Sequence, residues 1–384
     1  MIRRLAVVAS HVIQYQDPFF RRLAAEPGID LTVFYCSRAG AEVYHDADMQ
    51  TSLRWDIELL QGYRHVFLRN FGRGDGYTRL INPGVIPAIV RGNFDAVLFF
   101  LGWGTITSLL GIAACRISGT PFFLYGDSSF PPAEDSWRAK VRAGFIRGVF
   151  ALASGFMVSG TLNAEYYRHY GGDPRRFFLL PWAIDNERFA GAARFAPGER
   201  DAMRARFGIA PEQVAFVFSA KLVARKDPMT LLRAVARMAH RDRAVVVFLG
   251  HGELREQLEA FAREHRLHVQ FAGFVNQADL PKHYAMGDVF VLPSTYEPRG
   301  AVINEAMACG LPVVVTDRCG SLGDIVQEND NALVYPAGDD GALAAHLDRL
   351  MDDDLRARMG QRSREIIATW DYARGVEGVK EALG

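Results

Sequence analysis

The chain has 384 residues, 49% of them hydrophobic, and its 44 Lys and Arg residues balance 44 Asp and Glu residues. This length and composition suffice for two or three hydrophobic cores and exclude a disordered, collagen-like or low-complexity protein. The balanced charge gives no basic tail for a polyanion, so we expect no nucleic-acid partner.

The first half of the chain alternates short apolar blocks with stretches long enough for helices. Its first apolar run is short and lacks a small-residue cleavage site, so we interpret it as a strand rather than a signal peptide. The alternation indicates an α/β fold with a parallel, doubly wound sheet. Strands are predicted at residues 5–8, 31–35, 96–100, 122–125 and 155–158.

Residues 96–115 carry no charged side chain and are long enough to cross a bilayer. Gly102 and Gly104, on either side of Trp103, divide this run into a six-residue apolar block and a helix-like block. A buried strand, a tight turn and a packed helix fit that division better than a membrane span.

A looser stretch at residues 190–198 precedes a second series of apolar blocks. Further strands are predicted at residues 214–219, 245–249, 269–271, 289–292 and 313–315. The sequence therefore predicts two α/β domains, residues 1–185 and 186–369. The last helix-like stretch, residues 370–384, could pack on either of them.

The cysteines show no C-x-x-C pair and no Cys/His cluster at zinc-ligand spacing. They are Cys36, Cys115, Cys309 and Cys319. This usage is typical of the reducing cytoplasm, and we expect no metal site. Asp46-Ala47-Asp48 has D-x-D spacing, but neither a strand end nor a phosphate loop marks it as a metal site.

Residues 293–310 carry two glutamates eight positions apart, Glu297 before a helix and Glu305 inside it. Eight helical residues span about 12 Å, so the carboxylates could hold opposite ends of an extended ligand. The backbone N–H groups of Gly300, Ala301 and Val302 would lie between them at a helix N-terminus, which suits phosphate. A diphosphate with hydroxyl-rich groups at both ends matches this arrangement.

A basic loop and a glycine pair follow two other predicted strands. Lys221 and Lys226, two of the chain's five lysines, follow the strand at 214–219, and a compact ammonium suits phosphate oxygens. Gly250 and Gly252 form a G-x-G turn after the strand at 245–249, where the backbone could approach a ligand closely. A third glycine is missing, which disfavours a nicotinamide or flavin dehydrogenase.

Taken in order, these features resemble the retaining GT-B glycosyltransferases of family 4. The family pattern is a strand, G-R-L with a later lysine, G-x-G, and then P-S-x-x-E-x-x-G with a second glutamate eight positions after the first. The chain matches it at Ala220-Lys221-Leu222, Lys226, Gly250, Gly252, Pro293, Ser294, Glu297, Gly300 and Glu305. Residues 271–275 also match the family segment whose backbone holds the base.

The resemblance implies a GT-B fold, in which an N-terminal acceptor-binding domain and a C-terminal donor-binding domain, both Rossmann-like, face each other across a cleft. It implies transfer of a sugar from a UDP- or GDP-sugar to an acceptor hydroxyl with retained anomeric configuration. Neither cofactor nor metal is then required. The acceptor would be a glycan, a lipid-linked glycan or a small molecule, in polysaccharide, lipid-linked glycan or glycoconjugate biosynthesis.

The resemblance also assigns donor-site roles in the second half. Lys221 and Lys226 would hold the diphosphate, with Lys226 stabilising the leaving group, while Glu297 would bind the sugar hydroxyls. Glu305 would bind the ribose. The remaining donor-site assignments are Gly250, Phe274, Val275, Gly300, Ala301 and Val302. Arg299 replaces an aromatic residue of many relatives and could either join the donor site or face solvent.

The first half matches the family less closely. Asp127 stands where relatives carry a His beneath the reacting sugar, so it is either a catalytic group or a turn and helix-capping residue. His11, Gln14 and Tyr15 follow the first strand and Trp103 follows a later one, at carboxyl ends where ligands bind. They are candidate acceptor contacts, with a structural role as the alternative.

Residues 137–150 mix four basic side chains with several large apolar ones. An interfacial helix on the inner face of the membrane is one interpretation. An ordinary helix with its basic side chains in water is the other, and the intervening glycines favour it. Two other functions also stay open. One is a nucleotide-sugar epimerase or hydrolase on the same fold. The other is a non-catalytic nucleotide-sugar-binding partner subunit, suggested by Asp127 and by the absence here of the glycines that relatives often carry after the first strand.

Overall fold

The computed structural model describes residues 2–46, 51–73, 76–129 and 136–384. The chain divides into two compact units. Unit 1 comprises Met1–Tyr44, Ile57–Ala183 and Asp371–Gly384, and unit 2 comprises His45–Asp56 and Ile184–Trp370. Each unit is built around a parallel sheet with helices between successive strands.

The described strands are, in chain order, β1 (Arg3–Ala9), β2 (Ile29–Tyr35), β3 (Tyr44–Asp46), β4 (Thr51–Leu53), β5 (Arg64–Phe67), β6 (Ala96–Phe99), β7 (Phe122–Tyr125), β8 (Gly155–Val158), β9 (Phe177–Leu179), β10 (Val214–Ser219), β11 (Ala244–Leu249), β12 (Val269–Gly273), β13 (Val289–Leu292), β14 (Val313–Thr316) and β15 (Ala332–Tyr335). Each of the ten predicted blocks forms one of these strands. The predicted α/β class with parallel sheets is therefore confirmed.

The α-helices of the described residues are α1 (Asp17–Ala25), α2 (Val85–Gly92), α3 (Ile106–Ser118), α4 (Trp137–Leu152), α5 (Thr161–His169), α6 (Asn186–Ala192), α7 (Glu199–Arg206), α8 (Pro228–Arg237), α9 (Arg255–His265), α10 (Leu280–Ala285), α11 (Ala301–Ala308), α12 (Asp340–Arg349), α13 (Asp353–Ala368) and α14 (Tyr372–Leu383). The uncharged run at 96–115 falls into β6, a turn at Gly102 and α3. Among the described helices, none has both the length and the hydropathy to cross a bilayer.

The sheet of unit 1 has the order β5-β2-β1-β6-β7-β8-β9, and the sheet of unit 2 has the order β12-β11-β10-β13-β14-β15. In each unit the chain runs outward from its first strand, returns to the other side of that strand and continues outward. This is the doubly wound order. Its switch point lies between β1 and β6 in unit 1 and between β10 and β13 in unit 2. Ligands bind such sheets outside the carboxyl ends of the strands at the switch point.

The sheets lie within the hydrophobic cores because helices cover them. Every residue of β6, β7, β10, β11 and β13 is buried, as expected for central parallel strands. The carboxyl ends of β1 and β6 in unit 1, and of β10 and β13 in unit 2, are thereby held by rigid neighbours. The loops after these strands carry most of the residues singled out from the sequence.

Candidate functional site

The switch point of unit 2 brings together the basic loop and the first glutamate. β10 and β13 are paired neighbours, with Phe216 opposite Val289. The loop after β10 carries Lys226, whose ammonium forms an ion pair with the Glu297 carboxylate in the loop after β13. Both side chains are largely buried. A buried cation and a carboxylate thus meet at the position where the fold binds ligands.

Backbone contacts join these two loops. The Thr295 N–H donates to the Arg225 carbonyl oxygen at 3.0 Å, and the Arg225 guanidinium donates to the Tyr296 carbonyl oxygen at 3.1 Å. The Glu297 N–H donates to the Arg318 carbonyl oxygen at 3.0 Å, and the Gly320 N–H donates to the Glu297 carbonyl oxygen at 2.8 Å. Glu297 is therefore held on one side by residues 225–226 and on the other by residues 318–320.

Arg299 is buried, so of the two roles left open from the sequence the solvent-facing one does not hold. Its guanidinium is 3% exposed and donates to an Asp324 carboxylate oxygen at 3.1 Å and to the Gly320 carbonyl oxygen at 2.9 Å. The Ser321 hydroxyl donates back to the Arg299 carbonyl oxygen. Arg299 thus ties the 297–300 loop to residues 320–324.

Helix α11 begins immediately after Gly300, as the sequence predicted. Gly300 has φ of 73°, and a Cβ there would lie about 3.0 Å from the Ile303 side chain and 3.1 Å from Cγ of Glu297. Glycine therefore allows the sharp turn from the Glu297 loop into the helix. Ala301 and Val302 form the first turn of α11, next to Glu297, where unpaired N–H groups favour an anion.

Glu305 lies one turn further along α11 and is buried. The Tyr284 hydroxyl donates to its carboxylate at 2.8 Å. Burial raises the pKa of Glu305 to about 7, while hydrogen bonds from Tyr284 and Gln277 and the charge of Arg188 act in the opposite direction. Arg188 in turn donates two hydrogen bonds of 2.7 Å to Gln277. These three polar partners carried no sequence signal of their own, since each is an isolated residue in an unrelated element.

The glycine pair packs against the basic loop. Gly250 has φ of 149°, and a Cβ there would lie 2.1 Å from the Ala220 carbonyl oxygen; at Gly252 it would lie 2.4 Å from the Leu222 carbonyl oxygen. The Leu222 N–H donates to the His251 carbonyl oxygen at 2.8 Å. Lys221 therefore sits in a loop whose backbone the G-x-G turn supports. The close approach predicted here is to protein backbone.

The loop after β12 joins the same cluster. The Gly250 N–H donates to the Gly273 carbonyl oxygen at 2.8 Å, and Phe274 and Val275 follow directly. Both side chains are half-buried, and the Phe274 ring lies 6.2 Å from that of Trp55. The loops after β10, β11, β12 and β13 thus converge, and they carry all the residues of unit 2 that the sequence assigned to the donor site, apart from those in α11.

Unit 1 has a cavity of about 180 Å³ at its own switch point. Its lining includes Tyr15, Trp103 and Asp127 together with further aromatic side chains, Tyr77, Phe100, Tyr125, Tyr166, Tyr167 and Trp182. His11 and Gln14 are not among the lining residues. The His11 ring instead lies 3.0 Å from the Ser10 hydroxyl. The structure therefore groups three of the five residues predicted in this half around one cavity.

Asp127 lies in the loop after β7, at the rim of this cavity. The Asn163 amide, in α5, donates to the Ser128 carbonyl oxygen at 2.7 Å and fixes that loop. Burial raises the pKa of Tyr77 to about 12, and the charge of Asp127 acts in the same direction. The Tyr77 phenol therefore stays neutral. The N-cap of α4 is Ser136, so the helix-capping alternative for Asp127 does not apply to that helix.

The described residues contain no group of three or more His, Cys, Asp or Glu side chains that could hold a metal ion. Ala47 and Asp48 of the D-x-D spacing lie outside the described residues. The four cysteines are buried free thiols.

Two parallel sheets of doubly wound order define a two-unit α/β protein, and its fold matches GT-B glycosyltransferase structures. Solved structures share this fold: Anabaena Alr3699/HepE in complex with UDP has a TM-score of 0.75 at 19% identity, covering 100% of this chain and 99% of that one. WaaG, a glycosyltransferase involved in lipopolysaccharide biosynthesis, has a TM-score of 0.66 at 18% identity, covering 98% of each chain.

The profile of the family Glycosyl transferases group 1 matches residues 199–366. The chain is 33% identical over 364 residues to GDP-mannose-dependent alpha-(1-6)-phosphatidylinositol monomannoside mannosyltransferase of Mycolicibacterium smegmatis, which covers 89% of this chain and 87% of that relative. The chain belongs to this family of glycosyltransferases.

Other relatives match over a shorter span. Uncharacterized glycosyltransferase MJ1607 of Methanocaldococcus jannaschii is 37% identical over 178 residues, covering 46% of this chain and 43% of that relative. D-inositol 3-phosphate glycosyltransferase of Geodermatophilus obscurus is 33% identical over 215 residues, covering 53% and 46%. The chain thus spans a little under half the length of these two relatives.

Proposed function

We propose that this protein is a retaining glycosyltransferase that moves a sugar from a nucleotide diphosphate to an acceptor hydroxyl. The observation that carries the proposal is the buried Lys226–Glu297 pair beside the first turn of α11, at the switch point of unit 2. A cation, a helix N-terminus and a carboxylate are the groups that a diphosphate and a sugar hydroxyl would need in close succession.

Donor binding would exchange partners within this cluster. The Lys226 ammonium would move its contact from the Glu297 carboxylate to a diphosphate oxygen, and the carboxylate would accept a sugar hydroxyl. Lys221 would add a second cation, Phe274 and Val275 would hold the base through their backbone, and the ribose would bind at Glu305. These assignments follow the family resemblance, with Ala301 and Val302 supplying backbone N–H groups and Gly250 supporting the Lys221 loop. Arg299 would act indirectly, by holding the Glu297 loop.

The chemistry breaks the bond between the anomeric carbon and the diphosphate and forms a bond from that carbon to the acceptor oxygen. The acceptor proton would pass to a donor phosphate oxygen on the same face, which retains the anomeric configuration and requires no protein nucleophile. Lys221, Lys226 and the N-terminus of α11 would stabilise the charge that develops on the leaving diphosphate. Three positive groups so placed would make a divalent metal unnecessary.

The aromatic cavity of unit 1 would bind the acceptor. Aromatic faces pack well against the C–H groups of a sugar or cyclitol ring, and Asp127 would accept a hydrogen bond from a hydroxyl. The named relatives act on D-inositol 3-phosphate and on a phosphatidylinositol monomannoside. We propose a hydroxyl-rich ring of that kind, free or lipid-linked, and a cytoplasmic setting. Solved relatives bind UDP and others use GDP-mannose, so both nucleotides belong in the test.

The test is product analysis with UDP- and GDP-sugars, with and without candidate acceptors, in buffer containing EDTA. We expect one donor to give a glycosylated product whose anomeric configuration matches that of the donor. Lys226→Ala should abolish product, whereas Lys282→Ala, a matched lysine on α10, should not. An inverted product would contradict the retaining mechanism. Sugar released or epimerised without any acceptor-dependent product would support the hydrolase or epimerase alternative instead.

A further inference from the structure

A short segment from the first half of the chain belongs to unit 2. Residues His45–Asp56 are part of that unit, whereas the chain up to Tyr44 and again from Ile57 onward is part of unit 1. The segment contains β4 and ends in Arg54-Trp55-Asp56. Ordering such an excursion costs conformational entropy, which contacts within unit 2 must offset.

The end of this segment is hydrogen-bonded to the loop after β12. The side-chain amide of Asn276 donates to the Arg54 carbonyl oxygen at 2.7 Å. The Ala278 N–H donates to the carboxylate oxygens of Asp56, at 3.1 and 3.3 Å. These bonds fix the two residues on either side of Trp55, so the backbone that carries the indole is held against the loop.

Trp55 itself contacts the first residue of that loop. Its ring centroid lies 6.2 Å from that of Phe274, with the two planes tilted by 55°. Both side chains are half-buried, so this contact leaves part of the indole surface open. Leu53, two residues earlier, is 4% exposed and anchors the segment on its other side. An aromatic surface is thus presented, at a fixed position, beside Phe274 and Val275.

Phe274 and Val275 are the residues whose backbone is proposed above to hold the base of the donor, and the inference rests on that proposed function. Backbone groups can bond only to the edge of a base. The faces of a base are flat and π-bonded, and proteins cover them with aromatic side chains, largely without regard to which base is present. A base held at this loop would therefore have the Trp55 indole within its surroundings.

We propose that Trp55 is a donor-binding residue whose indole stacks on the nucleotide base. The hydrogen bonds at Arg54 and Asp56 would hold the indole in place before the donor arrives, which lowers the entropy lost on binding. The alternative is a purely structural role, in which Trp55 packs on Phe274 and stabilises the loop. The two roles differ in what an aromatic replacement and a base-free ligand would show.

The test is calorimetric titration of the full chain with UDP, with GDP and with inorganic pyrophosphate, which lacks a base. We expect Trp55→Leu to raise the Kd of the nucleotide by roughly five- to 150-fold, the range that stacking on one aromatic side chain contributes. Trp55→Phe keeps an aromatic ring and should recover most of that loss. Pyrophosphate should bind all three proteins equally. Trp370→Leu changes the other tryptophan of unit 2 and should bind every probe as the native chain does.

Tryptophan fluorescence gives a readout that a structural role would not change. A stacked base should quench indole emission when the nucleotide binds, and Trp55→Phe should bind the nucleotide with that quenching lost. Thermal unfolding should show that all variants fold.

Three results would overturn the proposal: nucleotide Kd values of Trp55→Leu equal to those of the native chain, binding by Trp55→Phe as weak as by Trp55→Leu, or full quenching in Trp55→Phe. If neither UDP nor GDP bound the native chain, the proposed function would fall together with this inference. Native-like nucleotide binding by Trp55→Leu would remove this inference alone.

Discussion

Replacing Arg299 by Met tests whether a buried ion pair positions the Glu297 loop. The change removes the guanidinium that donates to the Asp324 carboxylate, which is 6% exposed, and also the hydrogen bond to the Gly320 carbonyl oxygen. Breaking a buried ion pair by removing one of its members costs about 3–5 kcal/mol. For a unit of this size each kcal/mol lowers Tm by roughly 2–4 °C, so we expect a loss of about 6–20 °C.

The double variant Arg299→Met/Asp324→Leu separates charge from packing. Because it removes both charges, we expect it to recover much of the lost stability, which gives a coupling energy of several kcal/mol in a double-mutant cycle. Thermal and urea unfolding of the four proteins measure this cycle. Glu297 bonds to Gly320 through its backbone, so the single variant should also raise the KM for the donor more than it changes the KM for the acceptor.

Arg299→Lys keeps the charge and provides an intermediate case, because an ammonium cannot reproduce the planar fork of a guanidinium. We expect a partial loss of stability and of donor affinity. Additive effects of the two single changes would refute the reasoning, as would a loss below about 1 kcal/mol for Arg299→Met. Either result would mean that the pair contributes no more than an exposed surface ion pair does.

Three further predictions concern pH, backbone and acceptor. Burial raises the pKa of Glu305 to about 7 from an ordinary 4.5. Because of this group, the free energy of unfolding should fall by about 3 kcal/mol as pH rises from 4 to 8. The Glu305→Gln variant lacks this contribution, so the difference between its stability curve and that of the native chain measures the fall. Gly250→Ala should cost about 2 kcal/mol or more in urea unfolding, because its Cβ would overlap the Ala220 carbonyl oxygen. Asp127→Asn should raise the acceptor KM or lower kcat at least tenfold with the donor Kd unchanged.

Each of these has a result that would count against it. Parallel stability curves for the native chain and Glu305→Gln between pH 4 and 8 would mean that the carboxyl titrates as an exposed group does. Native-like stability of Gly250→Ala would show that the turn can relax. A large change in donor affinity for Asp127→Asn would move that residue out of the acceptor role. Its intact loop, held by Asn163, should keep the variant folded.

The fold could be predicted from the sequence because buried parallel strands have a strong compositional signal. All ten predicted apolar blocks form strands. The described strands that were missed are β3, β4, β5, β9 and β15. β3, β4 and β9 have three residues each, β5 is an edge strand with alternate residues exposed, and β15 is a four-residue apolar block at the edge of the unit 2 sheet. Their pairing depends on neighbouring strands already being in place, which local composition does not reveal.

The candidate donor site was predictable only where its residues form a motif. Glu297, Gly300 and Glu305 share one segment, and Lys226 follows a strand that had been recognised. Arg188, Gln277 and Tyr284 come from three separate elements, and only the folded chain brings them to Glu305. The burial of Arg299 was equally hidden, because its partner Asp324 lies 25 residues further on.

The most direct test of the proposed donor site is to measure, by thermal shift, the binding of nucleotide sugars to the native chain and to variants of the Lys226–Glu297 pair. A donor at a hundredfold over its Kd stabilises the native state by about 2.7 kcal/mol, which corresponds to roughly 5–10 °C here. We expect that shift for a UDP- or GDP-sugar with the native chain and with Lys282→Ala, but not with Lys226→Ala. Glu297→Gln should retain the shift given by the nucleotide diphosphate while losing the extra contribution of the sugar. Equal shifts for the native chain and Lys226→Ala would contradict the central claim that this ion pair marks the donor site.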